Sequence, residues 1–219
     1  LKRDGLLGPK SLRAMHDPRC GLPDTIEFAK RKWNKKTLRY HIDGYVTGLA
    51  RSTQARLIKA AWDSWKKHTD LNFVQTGTSS RADILIGVGK GSRYHFDGPG
   101  GVLAWAQLPT GNDRRLVTKF DIDETWIDNK RMRGILFLNV AAHEFGHLLG
   151  LGHSSVKGAL MAPTYNPSIE EPQQNDDVTR IQKLYEVEKD PEDPTPQPTP
   201  KKHTITIQVE GEVKDIKVT

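Results

Sequence analysis

The eleven residues "HEFGHLLGLGH", His143 to His153, restrict this chain more than any other stretch. Residues four apart on an α-helix stack on one face, so His143 and His147 aim two imidazoles at one point, with Glu144 beside them. Continued as helix, the chain would carry His153 about 9 Å along the axis from His147 and off its face. That is too far to share a metal bound at about 2.0–2.1 Å from each nitrogen. The chain must therefore turn, and Gly150 allows it, because glycine tolerates the positive φ that ends a helix. Three neutral imidazoles leave a tetrahedral zinc one open position for water. Zinc lowers the pKa of such a water to about 7, and Glu144 stands where a base could take its proton during attack on a peptide carbonyl and pass it to the leaving amine. A bare HExxH also occurs on ordinary surface or core helices. The full spacing, with a third histidine and a downstream methionine, is far more specific.

Around this motif the chain reads as strands followed by helices, an α+β domain. "TLRYHID" and "LVTKFDID" alternate in the manner of strands, "ADILIGVG" reads as a buried strand and "GPGGVLAWAQL" as a glycine-led one. Ser52 is expected to cap "STQARLIKAAWDSWKKH", whose Leu57, Ile58, Ala61, Trp62 and Trp65 fall on one face and belong in the core. "GILFLNVAAHEFGHLLGLGH" reads as an apolar helix interrupted at Gly150 and Gly152, and "DDVTRIQKLYEV" as a last amphipathic helix. Near the start, Gly8-Pro9 precedes a short helical pattern of Leu12 and Met15, and the opening looks like the end of something longer. Residues 188–202 form a Pro- and charge-rich linker, and residues 203–219 alternate like two strands around Gly211, the expected start of a truncated second domain. The 33 Lys and Arg against 27 Asp and Glu, net +6, are scattered among acids, so no nucleic-acid partner is expected. No run approaches the roughly 18 apolar residues of a membrane span. The single cysteine, Cys20, cannot form an internal disulfide and leaves the redox compartment open.

With "HEFGHLLGLGH" and "ALMAPTY", the chain resembles a matrix metalloproteinase, a matrixin of the metzincin clan, over roughly residues 5 to 187. The resemblance implies a metzincin-type catalytic domain over residues 25–187, with a twisted, mostly parallel sheet, one antiparallel edge strand and three main helices. It makes His143, His147 and His153 ligands of a catalytic zinc, Glu144 the catalytic residue and Met161 the Met-turn beneath the metal. Pro163 and Tyr165 become a wall of the S1′ pocket. Asp177 ties to the Met-turn, and Asp176 receives a new amino terminus after processing. "PRCGLPD" resembles the family's cysteine switch, with Leu22 where valine or asparagine is more usual. Residues 1–24 would then be a propeptide remnant in which Cys20 binds the zinc, Arg19 pairs with Asp24, and cleavage between Asp24 and about Trp33 frees the metal. A thiolate is a good zinc ligand, and tethering gives it a high local concentration.

The chain also departs from the family. Where matrixins carry a second, structural zinc, the loop is shortened to "GKGSRYHFD", and Trp105 and Lys119 replace two of the histidines. His95 alone cannot hold a zinc, so one zinc per chain is expected. The family's calcium site is better represented, by the side chains of Asp97, Asp121 and Glu124 and the carbonyls of Gly98, Gly100 and Val102. "GGVLAWAQ" should be the cleft's edge strand, on which a substrate adds as an antiparallel strand bonded to Leu103 and Ala104. Asn139, four before His143, implies a medium-depth pocket for leucine-like side chains. The reading is a latent, secreted, extracellular zinc endopeptidase that acts on polypeptides as a monomer and depends on an activating protease. One rival is a silenced protease-fold binding module acting through its C-terminal domain, which would have no need of Glu144. Another is a zincin such as an astacin or a reprolysin, which lacks the "PRCG" switch.

Overall fold

The structure, a computed structural model, describes residues 17–24, 31–111 and 115–185. The helical pattern at Leu12 and Met15, the linker at 188–202, the strands expected over 203–219 and the last two residues of the final helix lie outside the described residues.

Six strands form one sheet: β1 (Arg19–Cys20), β2 (Thr37–Ile42), β3 (Asn72–Gln75), β4 (Ile84–Gly89), β5 (Val102–Ala106) and β6 (Leu116–Asp121), in the order β1-β5-β6-β4-β2-β3. All neighbours run parallel except β5 and β6. The central strand β4 reads "ILIGVG", with Ile84 and Ile86 buried, as expected of a strand paired on both edges beneath helices. A small parallel pair, β7 (Trp126–Ile127) and β8 (Ile135–Leu136), leads into the motif helix. The strand β8 takes residues that the sequence assigned to that helix.

Three α-helices follow the pattern of apolar positions. In α1 (Arg51–Lys66), Leu57, Ile58, Ala61, Trp62 and Trp65 are all buried. Ser52 does not cap it; Ala50 holds that position without a side-chain hydrogen bond, and Gln54 binds the incoming chain instead, through Val46 N–H and the carbonyls of Val46 and Leu49. The motif helix α2 (Phe137–Leu148) packs on α1, with the Trp62 and Phe145 rings stacked at 3.9 Å. Such a pair contributes about 0.5–1.5 kcal/mol beyond its buried area. The last helix, α3 (Thr179–Tyr185), starts three residues later than the sequence suggested, after a single π-type turn at Gln174–Val178. No helix among the described residues is long and apolar enough to cross a membrane.

The C-terminus of α2 decides where the third histidine goes. Gly150 takes φ 106°, and a Cβ there would lie 2.5 Å from Arg31 O. The helix's last carbonyls are met from outside, Leu148 O by Trp33 Nε1 at 2.8 Å and Leu149 O by the Tyr185 hydroxyl at 2.9 Å.

Candidate active site

The ligand side chains reach the centre by three routes. His143 and His147 project from one face of α2, His153 arrives after the Gly150 turn, and Cys20 enters on β1 at the far edge of the sheet. One ligand atom from each of these four lies within 4.8 Å of every other. The Sγ of Cys20 is 3.4 Å from His147 Nε2.

The protonation of the rings follows from their partners. His143 Nδ1 lies 2.7 Å from Leu160 O, and His147 Nδ1 lies 2.7 Å from Leu151 O. Carbonyls only accept, which assigns a proton to each Nδ1 and leaves a lone pair on each Nε2. Those two lone pairs face each other across 3.0 Å, an arrangement that repels unless a cation lies between them. Two nitrogens on a tetrahedral zinc at its usual bond length stand about 3.3 Å apart. Burial, first of all, pushes His143 down to about 3 and His147 well below the usual imidazole range, so both rings are neutral, the form in which an imidazole can bind a metal. Burial also lowers His153, which makes no hydrogen bond through either ring nitrogen; its Nδ1 sits 3.1 Å from Asp24 Oδ1 without the alignment of one. Lone pairs brought together in a dry pocket, with a thiol as fourth donor, fit a zinc ion.

Glu144 is fully buried, and neither carboxylate oxygen has a hydrogen-bond partner. Burial pushes its pKa up to about 8; the Cys20 thiol nearby opposes that shift without completing a hydrogen bond to it. Burial likewise raises the Cys20 thiol well above its ordinary value in the absence of a cation. Directly beneath, Met161 is buried against Gly146, where any Cβ would fall on its Sδ and come within 2.8 Å of Trp65. Asp177 holds this turn, accepting from Leu160 N–H at 2.7 Å, Met161 N–H at 3.1 Å and Gln173 N–H at 2.7 Å. Asp176 pairs with Arg180 at 3.4 Å.

The segment carrying Cys20 lies between two walls. Arg19 N–H donates to Gly101 O at 2.7 Å and Gly21 N–H to Ala104 O at 2.8 Å; from the opposite wall, Pro163 O accepts from Cys20 N–H at 3.0 Å and Tyr165 N–H donates to Pro18 O at 2.8 Å. Arg19 pairs with Asp24 at 2.6 Å. The segment runs parallel to β5, opposite to the direction expected of a substrate on that edge. It covers Ala104, whereas Leu103 turns its buried side chain into the adjoining pocket. That pocket also takes in Asn139, His143, Glu144, Pro163 and Tyr165. The Tyr165 hydroxyl accepts from Leu136 N–H at 3.0 Å, and the Asn139 amide donates to Ile169 O.

Two other expected sites can be placed. Asp97, Asp121 and Glu124 lie close enough for their charges to raise the pKa of Asp121 and Glu124, after burial as the main cause. Their oxygens bind backbone N–H groups of Val102, Asp123 and Gly100, while the buried Asp121 Oδ2 has no partner. These acids do not gather as tightly as the Cys–His group, which alone among the described residues draws its ligand atoms within 4.8 Å. Where a structural zinc would be ligated, Trp105 Nε1 donates to Tyr94 O at 2.6 Å, and the Lys119 ammonium lies 5.9 Å from the Tyr94 ring centre and 3.9 Å from Asp43. His95 lies edge-on to Trp105, 6.3 Å between ring centres.

Sequence reasoning missed the strand at Cys20, the carbonyls that orient the two helix histidines, and Arg180. The only sequence signal for the last was its i,i+4 spacing from Asp176.

A six-stranded, mostly parallel sheet with one antiparallel pair, a helix bearing two of three histidines, and a methionine turn beneath them define the metzincin class. The family model described as Matrixin matches residues 32–186. Matrilysin of Rattus norvegicus is 40% identical over 197 residues, 84% of this chain and 72% of its own length. Matrilysin of Homo sapiens is 41% identical over 83% of this chain and 70% of its own length. Interstitial collagenase of Equus caballus is 37% identical over 91% of this chain but only 43% of its own length. The chain belongs to the matrixin family of zinc-dependent metalloendopeptidases, whose members use catalytic zinc and calcium.

Proposed function

We propose that the chain is a secreted matrixin held latent by Cys20, and that it hydrolyses peptide bonds of extracellular proteins once the segment through Asp24 is removed. The observation that carries this is the convergence of three imidazoles and one thiol beside a buried carboxylate with no partner of its own. His143, His147 and His153 would hold the catalytic zinc, and Cys20 would complete its shell in the latent form. When bound, the metal supplies Lewis-acid activation of a water and of the scissile carbonyl. The Glu144 carboxylate takes a proton from the attacking water and delivers it to the nitrogen that leaves, so that one water is added across the C–N bond. Its buried setting makes the carboxylate a stronger proton acceptor than a solvated one, which favours the first of these transfers. Arg19 and Asp24 brace the switch, Met161 and Asp177 the floor, and Asp176 the last helix.

The carboxylates of Asp97, Asp121 and Glu124, with the carbonyls of Gly98, Gly100 and Val102, are assigned to calcium; the buried, partnerless Asp121 Oδ2 supports a hard cation there. The same proposal divides the chain into a propeptide remnant at 1–24, a catalytic domain at 25–187, a linker at 188–202 and the start of a further domain at 203–219, and makes it a monomer with an external activating protease. The S1′ pocket, walled by Leu103, Val140, Leu160, Pro163 and Tyr165 and crossed by the Asn139 amide, suits a leucine-like side chain. A peptide library is expected to show a medium-sized aliphatic P1′ preference; a strict basic or acidic preference would refute the assignment.

Metal analysis tests the whole proposal. The purified chain is expected to hold one tight zinc; with residues 1–24 removed it should cleave casein, lose that activity to a chelator and regain it with zinc. Two equally tight zincs, or cleavage indifferent to the chelator, would overturn it.

A further inference from the structure

The loop that delivers the third imidazole is held in a different way from the helix that delivers the first two. His143 and His147 are each locked through Nδ1 to a backbone carbonyl at 2.7 Å. His153 has no such bond. The Asp24 carboxylate, 3.1 Å from its Nδ1, belongs to the segment whose removal is proposed to activate the enzyme. What holds His153 from behind is Arg180 on α3. Its Nη2 donates to Gly152 O at 2.7 Å and, at longer range, to His153 O at 3.4 Å. Its Nη1 pairs with Asp176 Oδ2 at 3.4 Å. The Arg180 and Asp176 side chains are only 16% and 12% exposed, so water competes poorly for the clamp. Among the described residues, no other side chain bonds to the carbonyls of Gly152 or His153.

We propose that Arg180 is a positioning residue for the zinc ligand His153, an inference that rests on reading the His143–His147–His153 centre as the catalytic zinc site. The turn at Gly150 frees the loop from the helix's own hydrogen bonds, and the arginine fork ties it back to α3. A planar guanidinium reaches a carboxylate and two carbonyls at once; a lysine ammonium on a flexible stem does not. Because Asp24 flanks the same imidazole in the latent form, the clamp matters most when Asp24 is absent.

The test uses the full chain and follows release of zinc to a competing chelator in wild type, Asp24→Ala, Arg180→Ala and the double variant. Loss of a group that orients a metal ligand typically weakens metal binding by about 10- to 100-fold. Arg180→Ala is expected to speed release by about tenfold in the Asp24→Ala background, and by clearly less with Asp24 present; Arg180→Lys should restore only part of the loss. Ile181→Val, a buried core neighbour on the same helix, serves as control at matched Tm. Release from Arg180→Ala no faster than wild type in either background, or no faster than from the Tm-matched control, would overturn the inference and leave the functional reading standing. A wild-type chain that retains no zinc would overturn both.

Discussion

Replacing Glu144 by alanine is expected to lower peptide hydrolysis by about 10²–10⁴-fold while the chain keeps its zinc, because the loss removes a proton carrier and no ligand. Positioned general bases are worth that much, and among the described residues no second carboxylate lines the pocket to take over. The comparison is Glu144→Ala against wild type on casein or gelatin, both with residues 1–24 removed, alongside zinc content. Equal activity would end the enzymatic assignment to this centre and favour a protease fold kept for binding. Loss of activity together with loss of zinc would mean that the carboxylate acts through the metal shell instead. Burying an unpartnered carboxylate is costly for a fold, and Glu144 makes no structural bond that would justify the cost.

Replacing Cys20 by serine is expected to switch on the uncut chain, with hydrolysis rising on the order of 100-fold. The tether makes the thiol an intramolecular competitor for the metal, and a serine hydroxyl is a far poorer zinc ligand. Four backbone hydrogen bonds still hold the β1 segment in the cleft: Arg19 to Gly101, Cys20 to Pro163, Gly21 to Ala104 and Tyr165 to Pro18. The measurement is therefore cleavage of a short fluorogenic peptide by the full-length variant without any activating protease. A Cys20→Ser chain as silent as wild type would show that this backbone ladder alone blocks the site.

Much of the fold is legible in local pattern. The face of α1 that the sequence marks as apolar is the face that packs on α2. The four strand stretches appear where alternation or apolar runs place them. The misreadings have local causes. Ser52 matched a helix start by residue type, yet the Gln54 side chain, a tertiary contact with the incoming chain, does the work there. β3, "NFVQ", is a half-exposed edge strand, too short to show a period. β1 is two residues long and becomes a strand only because β5 offers an unpaired edge.

The relative placement of the motif residues follows from the sequence alone. His143, Glu144 and His147 share a helix face by its 3.6-residue repeat, and Gly150 marks the turn through its tolerance of positive φ. Local geometry needs no other part of the chain for either. Only the tertiary structure decided what surrounds them. Leu160 and Leu151 set the proton on each imidazole, β5 and the 163–165 wall carry Cys20 to the three histidines, and Arg180 reaches the His153 loop from a separate helix. Those contacts join residues from 4 positions apart, His147 and Leu151, to 147 apart, Pro18 and Tyr165. Spacing carries no record of most of them, because the hydrogen bonds and burial that define them exist only after the sheet and helices have packed.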